Sequence, residues 1–198
     1  MLNKPTKGEY LDILLRSSKT VFSTKDITLL WGEDQTRVVR ERLKKYVKTG
    51  KLLRVHRGIY VKDKNYNNLE LATKIYIPSY VSFETVLANY GVIFQLYRQI
   101  FISSYLTRDV VISVQTFSYK RVRDSILTNH TGVDEKDGYH VASPERAFLD
   151  VVYLNKSYHF DNLVPLNWKK IFDILPIYNN KSMEKRVKRY HNSADIAE

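Results

Sequence analysis

A chain of 198 residues that is 43% hydrophobic, with fifteen tyrosines and eight phenylalanines, can bury a core, which excludes an intrinsically disordered segment. It has no cysteine, which excludes a disulfide framework and any thiolate metal site and suits a reducing cytoplasmic compartment. No stretch approaches the roughly eighteen apolar residues of a membrane span, and Met1-Leu2-Asn3-Lys4-Pro5 carries no apolar leader core, so a cytoplasmic protein without a membrane partner is expected.

The net charge of +11 is unevenly spread. Residues 1–64 hold 16 Lys+Arg against 7 Asp+Glu, residues 65–180 hold 11 against 11, and the tail from Lys181 holds 5 against 3. An excess focused in the first third is the electrostatic footprint of a segment that meets a polyanion. An anionic membrane would instead favour a basic amphipathic helix or a polybasic tail.

In chain order, residues 9–18 predict a helix with Tyr10, Ile13, Leu14 and Leu15 as its apolar stripe. A short extended bridge follows at 21–24, and Ser23 or Thr24 can cap a second helix over 25–31, with Ile27, Leu30 and Trp31 pointing inward. Gly32 stops it, because a left-handed turn comes easily only to glycine. Asp34 can cap a third helix that runs to about Thr49 and ends at Gly50. On a helical wheel Val39, Leu43, Tyr46 and Val47 gather on one side, and Arg37, Arg40, Lys44 and Lys48 on the other, with Glu41 at its edge. Gln35 and Thr36 occupy its first turn. After Gly50, residues 51–61 predict two short strands joined at His56-Arg57-Gly58, a basic wing.

Three helices followed by a hairpin predict a winged helix-turn-helix over 1–64. In that arrangement the start of the third helix reaches base edges. Gln35, Thr36, Arg37 and Arg40 are therefore expected to contact bases in double-stranded DNA, and Lys44, Lys48, Arg54 and Arg57 to hold phosphates. A solvated charged face is the plainer reading of any one of these residues; the basic wing and the focused charge favour DNA.

The polar segment 63–68 suits a domain boundary. Beyond it, 69–75 predicts a helix, and Ser82 can cap another over 83–90, ended by Gly91. Segments 100–102, 109–114, 116–119 and 138–142 are β-branched and aromatic and predict strands. Asp134, Glu135 and Asp137 read as a solvated loop or turn. Ser143-Pro144-Glu145-Arg146 starts a helix, with serine at the N-cap, proline in the first turn and Ala147, Phe148, Val151 and Val152 on the buried side. Further helices are expected over 168–175 and, strongly basic, over 183–191, where Lys185, Arg186, Lys188 and Arg189 are candidates for additional phosphate contacts. The fold class expected is α+β: an N-terminal winged helix-turn-helix, then a larger mixed α/β domain over 65–198 with a small sheet and flanking helices.

No catalytic constellation stands out. The chain has neither a P-loop nor a dinucleotide fingerprint, and its five histidines show no paired metal-ligand spacing. Ser143 reads as a cap rather than a nucleophile, and Glu145, Arg146 and Asp150 as a buried ion-pair knot. No enzyme activity, cofactor or metal is expected.

Pro78-Ser79-Tyr80-Val81-Ser82-Phe83-Glu84-Thr85-Val86-Leu87, followed by Tyr90-Gly91, resembles a signature segment of the AbiEi family, and so does Ala142-Ser143-Pro144-Glu145-Arg146-Ala147-Phe148-Leu149-Asp150. These are antitoxins of the AbiE abortive-infection system, a bicistronic bacterial toxin–antitoxin module. Both segments stand in order behind the basic module, so the resemblance covers most of the chain; residues 95–106 and the last thirty carry none of it. It implies two roles. One is repression of the chain's own operon through inverted repeats at the promoter. The other is neutralisation, by the C-terminal domain, of a nucleotidyltransferase-like toxin without a stable complex, as in a type IV system used in phage defence. Two other readings stand beside it: a module that binds the toxin directly, and a DNA-directed enzyme such as a nuclease using Asp134.

Overall fold

The computed structural model describes residues 8–195. Met1 to Pro5, read above as lacking a leader core, lie outside the described residues. The chain divides into two compact units, one up to Ile75 and the other from Tyr76.

The first unit runs α1 (Glu9–Arg16), β1 (Val21–Ser23), α2 (Thr24–Leu30), α3 (Thr36–Lys48), β2 (Leu53–His56), β3 (Ile59–Val61) and α4 (Asn68–Ile75). Its three strands form an antiparallel sheet in the order β1-β3-β2, with Val61 opposite both Val21 and Leu53. The core beneath gathers Tyr10, Leu14, Phe22, Ile27, Trp31, Val39, Leu43, Leu52 and Tyr60. Leu30, expected to point inward, is 44% exposed, as is Leu15 at 46%. Trp31 takes the inward position at the end of α2, its indole N–H donating to the carbonyl of Tyr10 at 2.8 Å.

Ser23 is the cap of α2: its hydroxyl accepts from the backbone N–H of Asp26, and the Asp26 carboxylate accepts from the Ser23 N–H. The third helix starts later than expected. Gln35, not Asp34, is its N-cap residue, and no side chain caps it. Glu33, only 8% exposed, turns inward and accepts from the Gln35 N–H at 3.3 Å, which leaves Asp34 outside the first turn.

The unit extends past the boundary read at residue 64 because α4 is tied to it by charge. Glu70 accepts from both the backbone N–H and the hydroxyl of Thr20, at 2.8 and 2.7 Å, and Lys74 pairs with Asp26 at 3.0 Å. A polar stretch between two elements marks a loop, and a loop need not be a boundary.

The second unit holds β4 (Ser79–Val81), α5 (Phe83–Asn89), β5 (Ile100–Ser104), β6 (Arg108–Ile112), β7 (Gln115–Arg121), α6 (Asp124–Leu127), β8 (Val133–Lys136), β9 (Tyr139–Ala142), α7 (Pro144–Leu154), α8 (Trp168–Ile174) and α9 (Lys181–Asp195). Its strands make one mixed sheet in the order β6-β7-β5-β4-β9-β8, six strands where a small sheet was expected. Two of them escaped the sequence reading. β4 has only three residues, and β8 contains Asp134 and Glu135, which lie opposite Val141 and His140 rather than in a loop. The pairings β4–β9 and β5–β7 are parallel and the others antiparallel. Ser143 caps α7 as expected, accepting from the Arg146 N–H at 3.2 Å.

Candidate nucleic-acid interface

The exposed arc of α3 carries cations because its opposite arc is consumed by the core. Val39 and Leu43 are fully buried, and Tyr46 and Val47 pack beside them, so residues about 100° per step away from that stripe must face solvent. Thr36, Arg37, Arg40, Lys44 and Lys48 are all exposed there, and Gln35 is exposed at the N-cap. Among the described residues, no side-chain hydrogen bond or ion pair engages Arg37, Arg40, Lys44 or Lys48.

The hairpin supplies a second set. Arg54 on β2 and Arg57 in the β2–β3 turn are exposed. The pairing slips by one residue between Arg54 and His56, and across this bulge the Arg54 Nε–H donates to the His56 carbonyl at 3.4 Å, leaning the guanidinium towards the turn. Thr24 ties the turn to the start of α2, its N–H donating to the Gly58 carbonyl at 2.9 Å.

The eight sequence candidates do not form one patch. Arg40, Lys44, Arg54 and Arg57 line a single groove of about 440 Å³ between α3 and the hairpin, with Glu41 as its one carboxylate. Gln35 and Arg37 face a different cleft, of about 870 Å³, between α1 and α3. Thr36 and Lys48, at the two ends of the helix, line neither. Sequence reasoning missed what stands on the second cleft. Arg42 lies between the apolar and basic arcs of the wheel, and its guanidinium Cζ sits 3.4 Å from the centre of the Tyr10 ring. Lys45 and Lys51 line the same cleft. The signal was the Tyr46 position one turn further on, which draws the neighbouring helix flank towards the Tyr10–Trp31 pair.

On α9, Lys185, Lys188 and Arg189 are exposed. Arg186 is not free for phosphate: it donates to the Val152 carbonyl at 2.9 Å and to the Ser182 hydroxyl at 3.0 Å.

The second unit holds one concentrated polar site, and it is buried. Asp150 accepts from the hydroxyls of Tyr80 (3.0 Å), Ser82 (2.7 Å) and Tyr178 (2.7 Å), and its carboxylate lies 3.6 Å from the Arg146 Nε. Arg146 also donates to the Tyr80 hydroxyl and to the carbonyls of Ile126, Asn129 and Thr131. Ser82 therefore stands at the N-cap of α5 without capping it; its hydroxyl belongs to Asp150. Burial pushes the Asp150 carboxyl above the usual carboxylate range, opposed by the Arg146 charge and the three hydroxyls. The knot joins the two segments singled out in the sequence, since Tyr80 and Ser82 come from one and Arg146 and Asp150 from the other. Glu145 stays outside it, accepting from the Asn167 N–H at 3.3 Å. With every member enclosed and the carboxylate fully engaged, the cluster fastens α7 to β4.

Among the described residues, no group of three His, Asp or Glu side chains is placed to hold a metal ion, and no helix is long and apolar enough to cross a membrane. No protein-family model matches the chain, and neither does any curated protein.

Proposed function

We propose that the first unit is a winged helix-turn-helix module that binds double-stranded DNA, and that the chain is a cytoplasmic autorepressor with a second, antitoxin role carried by the other unit. The observation that carries the DNA reading is the groove between α3 and the β2–β3 hairpin, where Arg40, Lys44, Arg54 and Arg57 face Glu41 alone. Cations converging on one groove from a helix and a hairpin are the donor set that a helix in the major groove and a wing on the flanking backbone require. The element order α1-β1-α2-α3-β2-β3 and the sheet order β1-β3-β2 support the winged arrangement. Gln35, Thr36, Arg37 and Arg40 are the proposed base-reading residues, and Lys44, Lys48, Arg54 and Arg57 the backbone contacts.

The antitoxin role rests on the resemblance of two segments to the AbiEi family. Its proposed setting is a type IV module in which the chain represses its own promoter at inverted repeats and counters a nucleotidyltransferase-like toxin without a stable complex.

A gel shift with the duplex upstream of the chain's own reading frame, beside a scrambled duplex, tests the DNA reading. Arg40→Ala is expected to cost about 1–3 kcal/mol on the specific duplex and less on the scrambled one, whereas Lys48→Ala weakens both alike. Equal losses from the two variants would mean that Arg40 reads no base. A second reading, a unit that grips the toxin directly, is favoured by Phe94 and Leu96, which stand 68% and 89% exposed. Co-purification of the two proteins would choose it over the complex-free arrangement.

A further inference from the structure

The larger cleft of the first unit is unused by the DNA reading apart from Gln35 and Arg37. It lies between α1 and α3, is open to solvent with a volume of about 870 Å³, and is lined by Arg37, Arg42, Lys45 and Lys51 against two carboxylates, Asp12 and Glu41. Leu11, Val38 and Tyr46 supply its apolar wall.

Arg42 is its distinguishing feature. The guanidinium is half-buried and sits over Tyr10, its Cζ 3.4 Å from the ring centre and 5.9 Å from that of Trp31. Tyr10 and Trp31 are themselves buried, and the Trp31 N–H is fastened to the Tyr10 carbonyl. Contact with the ring thus positions the guanidinium while leaving its N–H donors unspent: among the described residues, no oxygen accepts from it. A rigid fork of N–H donors with point charges beside it is the donor set that matches a tetrahedral oxyanion.

We propose that this cleft seats a phosphate group, with Arg42 as the anchor and Lys45 and Lys51 as the flanking charges. Its volume exceeds that of a bare ion, and its apolar wall suits a phosphate carried on an organic group. Two sources share that chemistry: a backbone phosphate of bound DNA, and a free phosphorylated small molecule. The proposal does not depend on duplex binding, because the second source needs no DNA.

Trp31 reports on the site directly. The chain has two tryptophans, so Trp168→Phe leaves Trp31 as the only tryptophan, read by exciting to the red of tyrosine absorption. In that full-length background, inorganic pyrophosphate and a duplex of random sequence are titrated separately against the parent and against Arg42→Met, which removes the charge and keeps a flexible apolar stem. If the source is a free phosphorylated molecule, pyrophosphate shifts Trp31 emission saturably, and Arg42→Met weakens that by about tenfold or more while duplex affinity stays the same. If the source is DNA, pyrophosphate gives no saturable shift and Arg42→Met weakens the duplex by a similar factor. Lys45→Met/Lys51→Met, both exposed positions, repeats the measurement should Arg42→Met fail to fold. Indifference of both probes to both variants overturns the proposal. Failure of the DNA reading is seen separately, as loss of promoter preference in the parent chain.

Discussion

Arg146 and Asp150 lie one helical turn apart on α7, and neither exposes any side-chain surface. A cation taken that far from water is tolerated only because four oxygens and a carboxylate surround it, and the carboxylate only because three hydroxyls and the cation do. Removing one partner leaves the other charged and buried. Arg146→Met is accordingly expected to lower the unfolding free energy by about 3–5 kcal/mol in a urea titration. Adding Asp150→Leu should recover part of that loss, since the pair is coupled. A loss within about 1 kcal/mol, the range of an exposed pair, would contradict the buried geometry. This knot was half legible. Arg146 and Asp150 were readable as a pair from their i, i+4 spacing, but Tyr80, Ser82 and Tyr178 were not, because long-range partners leave no local trace. Glu145 adjoins Arg146 in the chain and lies outside the knot, because consecutive helix positions do not face each other.

At the scale of elements, α2 owes its start to a local signal and its fastening to a distant one. Burial tends to raise the Asp26 carboxyl, but the Ser23 N–H and hydroxyl and the Lys74 ammonium outweigh it, so Asp26 titrates below its usual value of 3.8. A carboxyl whose folded value lies below its unfolded one contributes stability above the unfolded value and loses it as the pH falls through the folded one. The melting temperature should therefore drop as the pH falls below about 4, and Asp26→Asn should lower it at neutral pH and flatten that acid limb. An unchanged acid limb would remove Asp26 from the account. Ser23→Ala should cost about 1 kcal/mol by loss of the cap.

Gly132 makes the opposite kind of point. It adopts φ +74, its carbonyl accepts from the Ser143 N–H at 2.8 Å, and a Cβ there would meet Ile174 Cδ1 at 2.9 Å and Arg146 Cβ at 3.1 Å. Gly132→Ala combines backbone strain with overpacking and is expected to destabilise by about 1–3 kcal/mol in the same titration. Capping made α2 and α7 legible, and periodicity α3. β4 and β8 were hidden, one for its brevity and the other because an edge strand can carry acids on exposed positions.

For the molecule as a whole, charge and fold divide at nearly the same place. The first unit, counted to Ile75, holds 17 Lys+Arg against 8 Asp+Glu, still a net of +9 after α4 is included. Nearly all the excess thus sits on the unit whose third helix exposes Arg37, Arg40, Lys44 and Lys48 with no side-chain hydrogen bond or ion pair among the described residues. The cations proposed for the interface were legible in the sequence as an exposed arc on a wheel. Their grouping into two separate clefts was not, because it depends on how α1 and the hairpin flank α3. The central claim is that this charge meets a duplex, and the most direct test is the salt dependence of duplex affinity for the full chain. With about six to eight phosphates neutralised, affinity should fall by several powers of ten between about 50 and 200 mM salt, with a log–log slope near −0.9 per phosphate. A flat response over that range would contradict the claim.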